Sequence, residues 1–310
     1  MVVCFIGNYV PSHMKGNPRY EGGWLQAARE TAEIARLLLW PFGRRAERLY
    51  TLLSTHNLLA EQSLSMNMGY WLASPRTLDE ASQAMAGLLG QTARLGPEDE
   101  VLDVGFGFGA QDLYWAEHFQ PRRIIGLDSL PQHVEVARQR VARAGREGQV
   151  ELRLGSATQL PFAPGSFDKV TALESALHFN TRERFFAEAW RVLRPGGRLA
   201  TTDVVPLPGR RFARPFQSFW QIPEANLYPR DGYRERLEAL GFVEVEVRSI
   251  REHVYEPLLA FLARRLDEPE MVRRLNPVLR QACRPHWYAW MIRSTFDYVL
   301  ASARKPGVSR

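Results

Sequence analysis

Glycines at every second position in Asp103-Val104-Gly105-Phe106-Gly107-Phe108-Gly109 follow a short apolar run and precede a segment with helical spacing. Such a turn lets backbone approach a ligand that a Cβ would hold off, and the opening helix presents unpaired N–H groups. Alone the signal is weak: Gly105, Gly107 and Ala110 also satisfy a dinucleotide spacing, so a nicotinamide oxidoreductase is a competing reading. The flanks discriminate. Asp103 stands two residues before the first glycine, where a carboxylate suits a cationic amino-acid moiety better than a pyrophosphate; its alternative role is to brace the loop. Asp128 ends the next apolar run, placed either to accept from ribose hydroxyls or to cap the helix beginning near Pro131.

A second group of residues bears on proton transfer. Glu174-Ser175-Ala176-Leu177-His178-Phe179 follows a further apolar run, and an imidazole such as that of His178 suits general-base work near neutral pH. His178 reads as the base or as an acceptor-orienting group, or else as a structural histidine at a helix start. Asp203 either orients that histidine or contacts the acceptor, or is a turn aspartate ahead of Pro206; His286, among Trp287, Tyr288 and Trp290, is a lesser candidate. No metal is expected, because His118, His133 and His178 share no ligand spacing and no Cys–His cluster exists. Ser65 to Trp71 is too irregular for a helix and too aromatic for an ordinary linker, so Tyr70 and Trp71 read as a lid over a ligand or as a core-packed loop. Phe216 and Trp220, in a stretch broken by Pro206, Pro208, Pro215 and Pro223, either roof a pocket or pack on the core.

The elements that position these residues alternate. Strands are predicted at 101–104, 124–127, 150–154, 170–173 and 198–203, with helices at 110–119, 131–144 and 185–192 between them. Short apolar strands alternating with helices imply a parallel sheet covered on both faces, joined by right-handed crossovers. Helices at 24–39, 44–53 and 78–89 precede this core; a helix at 228–240, a strand at 242–247, helices at 256–266 and 269–282 and a strand at 298–303 follow it. The fold class expected is α/β, a Rossmann-like, seven-stranded, mostly parallel sheet with N-terminal helices and helical lid insertions. Three regions are expected: an arm and helical cap over 1–75, a cofactor-binding core over 76–205, and the rest of the sheet with substrate-lid insertions over 206–310.

Composition narrows the class. A chain of 310 residues accommodates one substantial core. The net charge of +6 comes from arginines spread along helical segments rather than gathered beside stacking aromatics, so solvated helix faces are expected and nucleic acid is not. No stretch is long and apolar enough for a membrane span, the opening residues lack a signal-peptide pattern, and Cys4 and Cys283 support no disulfide framework. A cytoplasmic setting is expected.

The sequence resembles the class I S-adenosylmethionine-dependent methyltransferases at four ordered stations: Val101 through Gly109, Gly126-Leu127-Asp128, Gly155 through Phe162, and Arg191 through Gly197. The resemblance covers roughly residues 60 to 250. It implies that Asp103, Gly105 and Gly107 surround the methionine portion of S-adenosylmethionine, that Gly109 also belongs to the cofactor site, that Asp128 takes the ribose hydroxyls, and that Ser129, Ser156 and Ala157 approach the adenine, with Glu174 at the mouth. Ser156 departs from the family, which usually carries aspartate there. The segment Met66 to Trp71 is similar to the active-site cover of sugar, macrolide and tocopherol-type methyltransferases. O-methylation of a secondary metabolite such as a polyketide or its sugar is thereby implied, with C- or N-methylation and a non-catalytic binding protein as alternatives. The implied partner is a small, partly apolar acceptor, and a homodimer is compatible with the reading.

Overall fold

The computed structural model describes residues 63–210 and 222–307 except Cys283 and His286, together with positions 21, 23, 28, 31, 32 and 217. The helix expected at 44–53, most of that at 24–39, and Phe216, Trp220 and His286 lie outside the described residues. The helix α1 (Leu78–Ala93) leads into β1 (Glu100–Val104), α2 (Ala110–His118), β2 (Arg123–Asp128), α3 (Pro131–Arg143), β3 (Val150–Leu154), β4 (Phe167–Leu173), α4 (Arg182–Val192) and β5 (Leu193–Pro206). Then come α5 (Arg230–Ala239), β6 (Val243–Ser249), α6 (Tyr255–Arg265), α7 (Pro269–Arg274), α8 (Pro277–Ala282), α9 (Trp287–Thr295) and β7 (Phe296–Arg304).

The seven strands form one sheet in the order β3-β2-β1-β4-β5-β7-β6. β1 to β5 pair in parallel, whereas β7 runs antiparallel to both β5 and β6. Strand side chains alternate between two cores, as a period of two requires. Val101, Ile124 and Leu300 pack on Met85 and Leu89 of α1, Trp115 of α2 and Ala137 of α3. Leu102, Ile125 and Val299 pack on Phe185 and Phe186 of α4 and Leu237 of α5 on the opposite face. The fold is thus the α/β class read from the sequence. Among the described residues no helix is long and apolar enough to cross a membrane.

Two expectations change in detail. The single helix at 269–282 is two, because Pro277 supplies no backbone donor and opens α8, while buried Asn276 ends the gap by accepting the Val278 N–H at 2.8 Å. α9, just before β7, was not expected.

Asp203, on β5, is fully buried against Arg182 at the start of α4 (Nε to Oδ2, 2.8 Å). The guanidinium also donates to the Asn226 carbonyl at 2.9 Å and lies over the rings of Tyr228 and Tyr233 at 4.9 and 5.1 Å. Removing one member of a buried pair strands the other's charge at about 3–5 kcal/mol. Asp203→Ala is therefore expected to lower unfolding stability in urea by about that amount, with a large part regained in the Asp203→Ala/Arg182→Leu double variant. A loss under about 1 kcal/mol would contradict the structural role.

Candidate active site

β1 and β4 are neighbours at the point where the strand order reverses, and open α/β sheets bind ligands beyond the carboxyl ends of the strands at such a point. There the chain leaves β1 through Gly105 and Gly107, whose φ values are 81° and 58°. A Cβ at Gly105 would lie 2.4 Å from the Ser175 Cβ, so that position needs glycine for space as well as for angle, whereas at Gly107 a Cβ would meet only the mobile Met66 Cε at 2.5 Å and the angle is the requirement. The Gly105 N–H donates to the Leu127 carbonyl at 2.7 Å, and the Gly107 N–H donates to Asp128 Oδ2 at 2.9 Å. The turn is therefore clamped to the end of β2.

Above this turn lies a cavity of about 380 Å³, within the ~300–1,000 Å³ of small-molecule sites. Gly105, Gly107, Asp128, Ser129, Ser156, Ala157, Glu174 and His178 all line it. Asp128 is 7% exposed; its Oδ1 accepts the Leu130 N–H at 2.9 Å, so each carboxylate oxygen holds one backbone donor and keeps lone pairs for a diol. It does not cap α3, whose N-cap is Leu130. Ser156 Oγ sits 3.1 Å from Thr158 Oγ1, a local pairing in an exposed loop. His178 ends a single 3-10 turn, Ala176–His178, and is half-buried.

Other expected residues lie elsewhere. Asp103 is fully buried behind the lining, where its carboxylate accepts from Thr171 Oγ1 at 2.8 Å and Gln111 Nε2 at 3.0 Å; burial lifts it to about 7 despite those bonds. The structure thus assigns Asp103 the bracing position rather than contact with a cationic moiety. Gly109 does not line the cavity either: its φ of 72° begins α2, and a Cβ there would meet the Ala137 Cβ at 3.2 Å, so it serves helix packing. Asp203 is committed to Arg182 and lines no part of the cavity, which corrects the expectation that it meets the acceptor. Tyr70 and Trp71 anchor the cover rather than line the cavity. Their N–H groups donate to the carbonyls of Ala81 and His253, each at 2.8 Å, and the Trp71 ring packs on Phe261 at 5.2 Å.

Several lining residues escaped the sequence reading. Leu64 is one: it joins Ser65, Met66 and Asn67, of the segment read as a cover, in running across the glycine turn. Gln111 lines the cavity while donating to Asp103 and to the Phe106 carbonyl at 3.1 Å. His133 is buried, with Nδ1 3.3 Å from Asp128 Oδ1 outside hydrogen-bond geometry and its ring 4.7 Å from Phe108. Its place in the first turn of α3, facing the end of β2, was the available signal.

Glu174 stands opposite Asp128, beyond β4. It adopts φ 50°, unusual for a side chain with a Cβ. Its N–H is shared between the Thr202 carbonyl at 3.0 Å and Thr202 Oγ1 at 3.2 Å, and its Oε1 accepts the Met68 N–H at 2.7 Å and the Tyr298 hydroxyl. Burial lifts this carboxyl to about 7, the two donors pulling the other way. It lies beneath the protein surface yet is partly exposed into the cavity.

The comparisons with known proteins converge on this arrangement. Residues 102–201 match a family described as a methyltransferase domain. Erythromycin 3''-O-methyltransferase of Saccharopolyspora erythraea is 36% identical over 91% of this chain and 97% of its own. The 27-O-demethylrifamycin SV methyltransferase of Amycolatopsis mediterranei is 34% identical over 78% and 90%. The crystal structure of the [4+2]-cyclase SpnF superposes with a TM-score of 0.66 over 86% of this chain and 97% of that one, at 22% identity, which bears on the fold alone. With a relative of such identity aligned almost end to end, and an acid and two close-approach glycines gathered on one cavity, the chain belongs to the class I S-adenosylmethionine-dependent methyltransferases that act on small organic molecules of the natural-product kind.

Proposed function

We propose that the chain methylates a hydroxyl of a secondary metabolite, a polyketide or a sugar it carries. The observation that carries this reading is the near full-length relationship to an enzyme named for 3''-O-methylation of erythromycin. When bound, S-adenosylmethionine supplies an electrophilic methyl group on a sulfonium. Asp128 receives the two ribose hydroxyls on the lone pairs left by Gly107 and Leu130. The bare floor of Gly105 and Gly107 admits the methionine portion, and Ser129, Ser156 and Ala157 flank the adenine.

His178, on the cavity wall after β4, would take the acceptor hydroxyl's proton as that oxygen receives the methyl group the donor would supply. Alignment of acceptor and donor supplies much of the rate, so His178 adds to a reaction that positioning already favours. The cover from Leu64 to Trp71 keeps water from the reacting atoms. The cofactor core is taken as residues 76–205, with 1–75 as cap and 206–310 completing the sheet and the acceptor lid.

Three outcomes follow. Incubation with labelled S-adenosylmethionine and a panel of desmethyl macrolides and their sugars should yield an O-methyl ether by mass spectrometry and NMR; label on carbon or nitrogen, or binding without any S-adenosylhomocysteine, would contradict the proposal. Asp128→Ala should weaken cofactor binding by about 1–3 kcal/mol, and an unaltered calorimetric isotherm would reject the ribose role. His178→Ala should lower kcat by about 100-fold or more while cofactor affinity changes little; unchanged turnover, or an equal loss in both, would reject the base.

A further inference from the structure

Glu174 is held far more tightly than a surface carboxylate at a strand end requires. A non-glycine residue at φ 50° costs roughly 1 kcal/mol or more and persists where the surroundings over-determine it. Here they do: Thr202 of β5 fixes its backbone, Met68 of the cover and Tyr298 of β7 fix its Oε1, and the carboxyl still reaches the cavity. Asp128 and Glu174 are the two carboxylates among the described lining residues. They stand at the ends of β2 and β4, two strand spacings apart across β1, roughly 10 Å. Asp128 spends its charge on backbone N–H groups, and Asp103 is sealed behind the wall by Thr171 and Gln111.

The two donors to Glu174, the Met68 N–H and the Tyr298 hydroxyl, both fall on Oε1. The ionisable groups around it are Tyr298 on β7, Tyr255 on α6, Asp203 on β5 and His178 on the turn after β4; the cover contributes only the Met68 N–H, and no described lysine or arginine offsets its charge. A carboxyl with acidic and neutral neighbours, opening on a cavity that receives a cation, is a site waiting for its counter-charge.

We propose that the Glu174 carboxylate is the group by which this protein distinguishes the cationic methyl donor, S-adenosylmethionine, from its product S-adenosylhomocysteine, whose sulfur is uncharged. The inference rests on the cofactor orientation proposed above, with the ribose at Asp128. Donor entry ionises Glu174: the carboxyl O–H bond breaks, the proton leaves for solvent, and the carboxylate faces the sulfonium, the one charge that the product lacks. Loss of the methyl group removes the sulfonium charge, the carboxyl regains a proton from solvent, and the attraction favouring the bound state falls as product forms. The carboxyl's position near 7 makes this exchange accessible at neutral pH, since a lone buried carboxyl resists ionisation and a neighbouring cation restores it.

The test is isothermal titration calorimetry of the full chain at pH 7, in two buffers of different ionisation enthalpy, with S-adenosylmethionine and S-adenosylhomocysteine in turn. The wild type should release roughly half a proton per donor bound, and clearly less per product bound. Glu174→Gln keeps an oxygen for Met68 and Tyr298 but carries no charge. It should abolish the difference in proton release and shift the donor-to-product affinity ratio about tenfold toward the product, the lower end of what an opposite charge nearby does to a carboxylate. Product affinity within about twofold of wild type serves as the folding control. Equal weakening of both ligands in the Gln variant, or proton release persisting at the wild-type value, would overturn the proposal. An Asp128→Ala variant measured alongside should weaken both ligands alike; if it weakened neither, the orientation itself would fall, and the proposal with it.

Discussion

The structure depends on one short contact between two strands: the Asp128 carboxylate receiving the Gly107 N–H at 2.9 Å. Gly107 belongs to a turn whose backbone angles leave its N–H pointing out of the β1 ladder, and β2 ends where a carboxylate can meet it. The bond fixes the height of the glycine turn relative to β2, and the Leu130 N–H on the other oxygen fixes the start of α3. A charge-assisted hydrogen bond is among the stronger polar contacts, and here it holds loops that propensity alone would leave free. The glycine turn, the end of β2 and the entry to α3 are tied together by a single side chain.

Outward from that point, each layer supports the next. Parallel strands buried on both faces carry the carboxyl ends of β1, β2 and β4 to one edge of the molecule. Asp103 is spent behind the turn on Thr171 and Gln111, which couples β1 to β4 and to the first turn of α2. Opposite, Glu174 ties β4 to the cover and to β7, the antiparallel strand formed by the last described part of the chain. The Glu174 side of the cavity is thereby linked to segments far apart in sequence, so a change in the cover or in β7 reaches Glu174. The exposed loop with Ser156 is held by local contacts, the Ser156 and Thr158 hydroxyls at 3.1 Å and the Thr158 N–H on Ser156 Oγ at 3.3 Å.

The sequence made the sheet legible because its signals are local: apolar runs of strand length, glycines that only a tight turn explains, and helices with one buried stripe. Asp128 and Glu174 were legible for the same reason, each immediately following or ending a strand. What misled was direction. Asp103 and Asp203 also sit at or near strand ends, but side chains alternate across a strand, and whether a carboxylate meets the ligand or a buried Arg182 depends on tertiary packing that spacing does not encode. Gly109 shared the pattern of Gly105 and Gly107, yet its space is needed by Ala137 of α3. His133 was passed over because histidines were weighed for metal spacing, not for which helix face looks toward Asp128.

The central claim is that a sulfonium nucleoside spans the cleft from Asp128 across the glycine turn to Glu174 beneath the cover. Hydrogen–deuterium exchange with and without saturating S-adenosylhomocysteine tests it most directly, since amides at a closed site exchange slowly. The account predicts simultaneous added protection at residues 64–69, 105–109 and 174–179, with β6 unchanged. Protection confined to β6 or the helices after it, or none at 105–109, would contradict it.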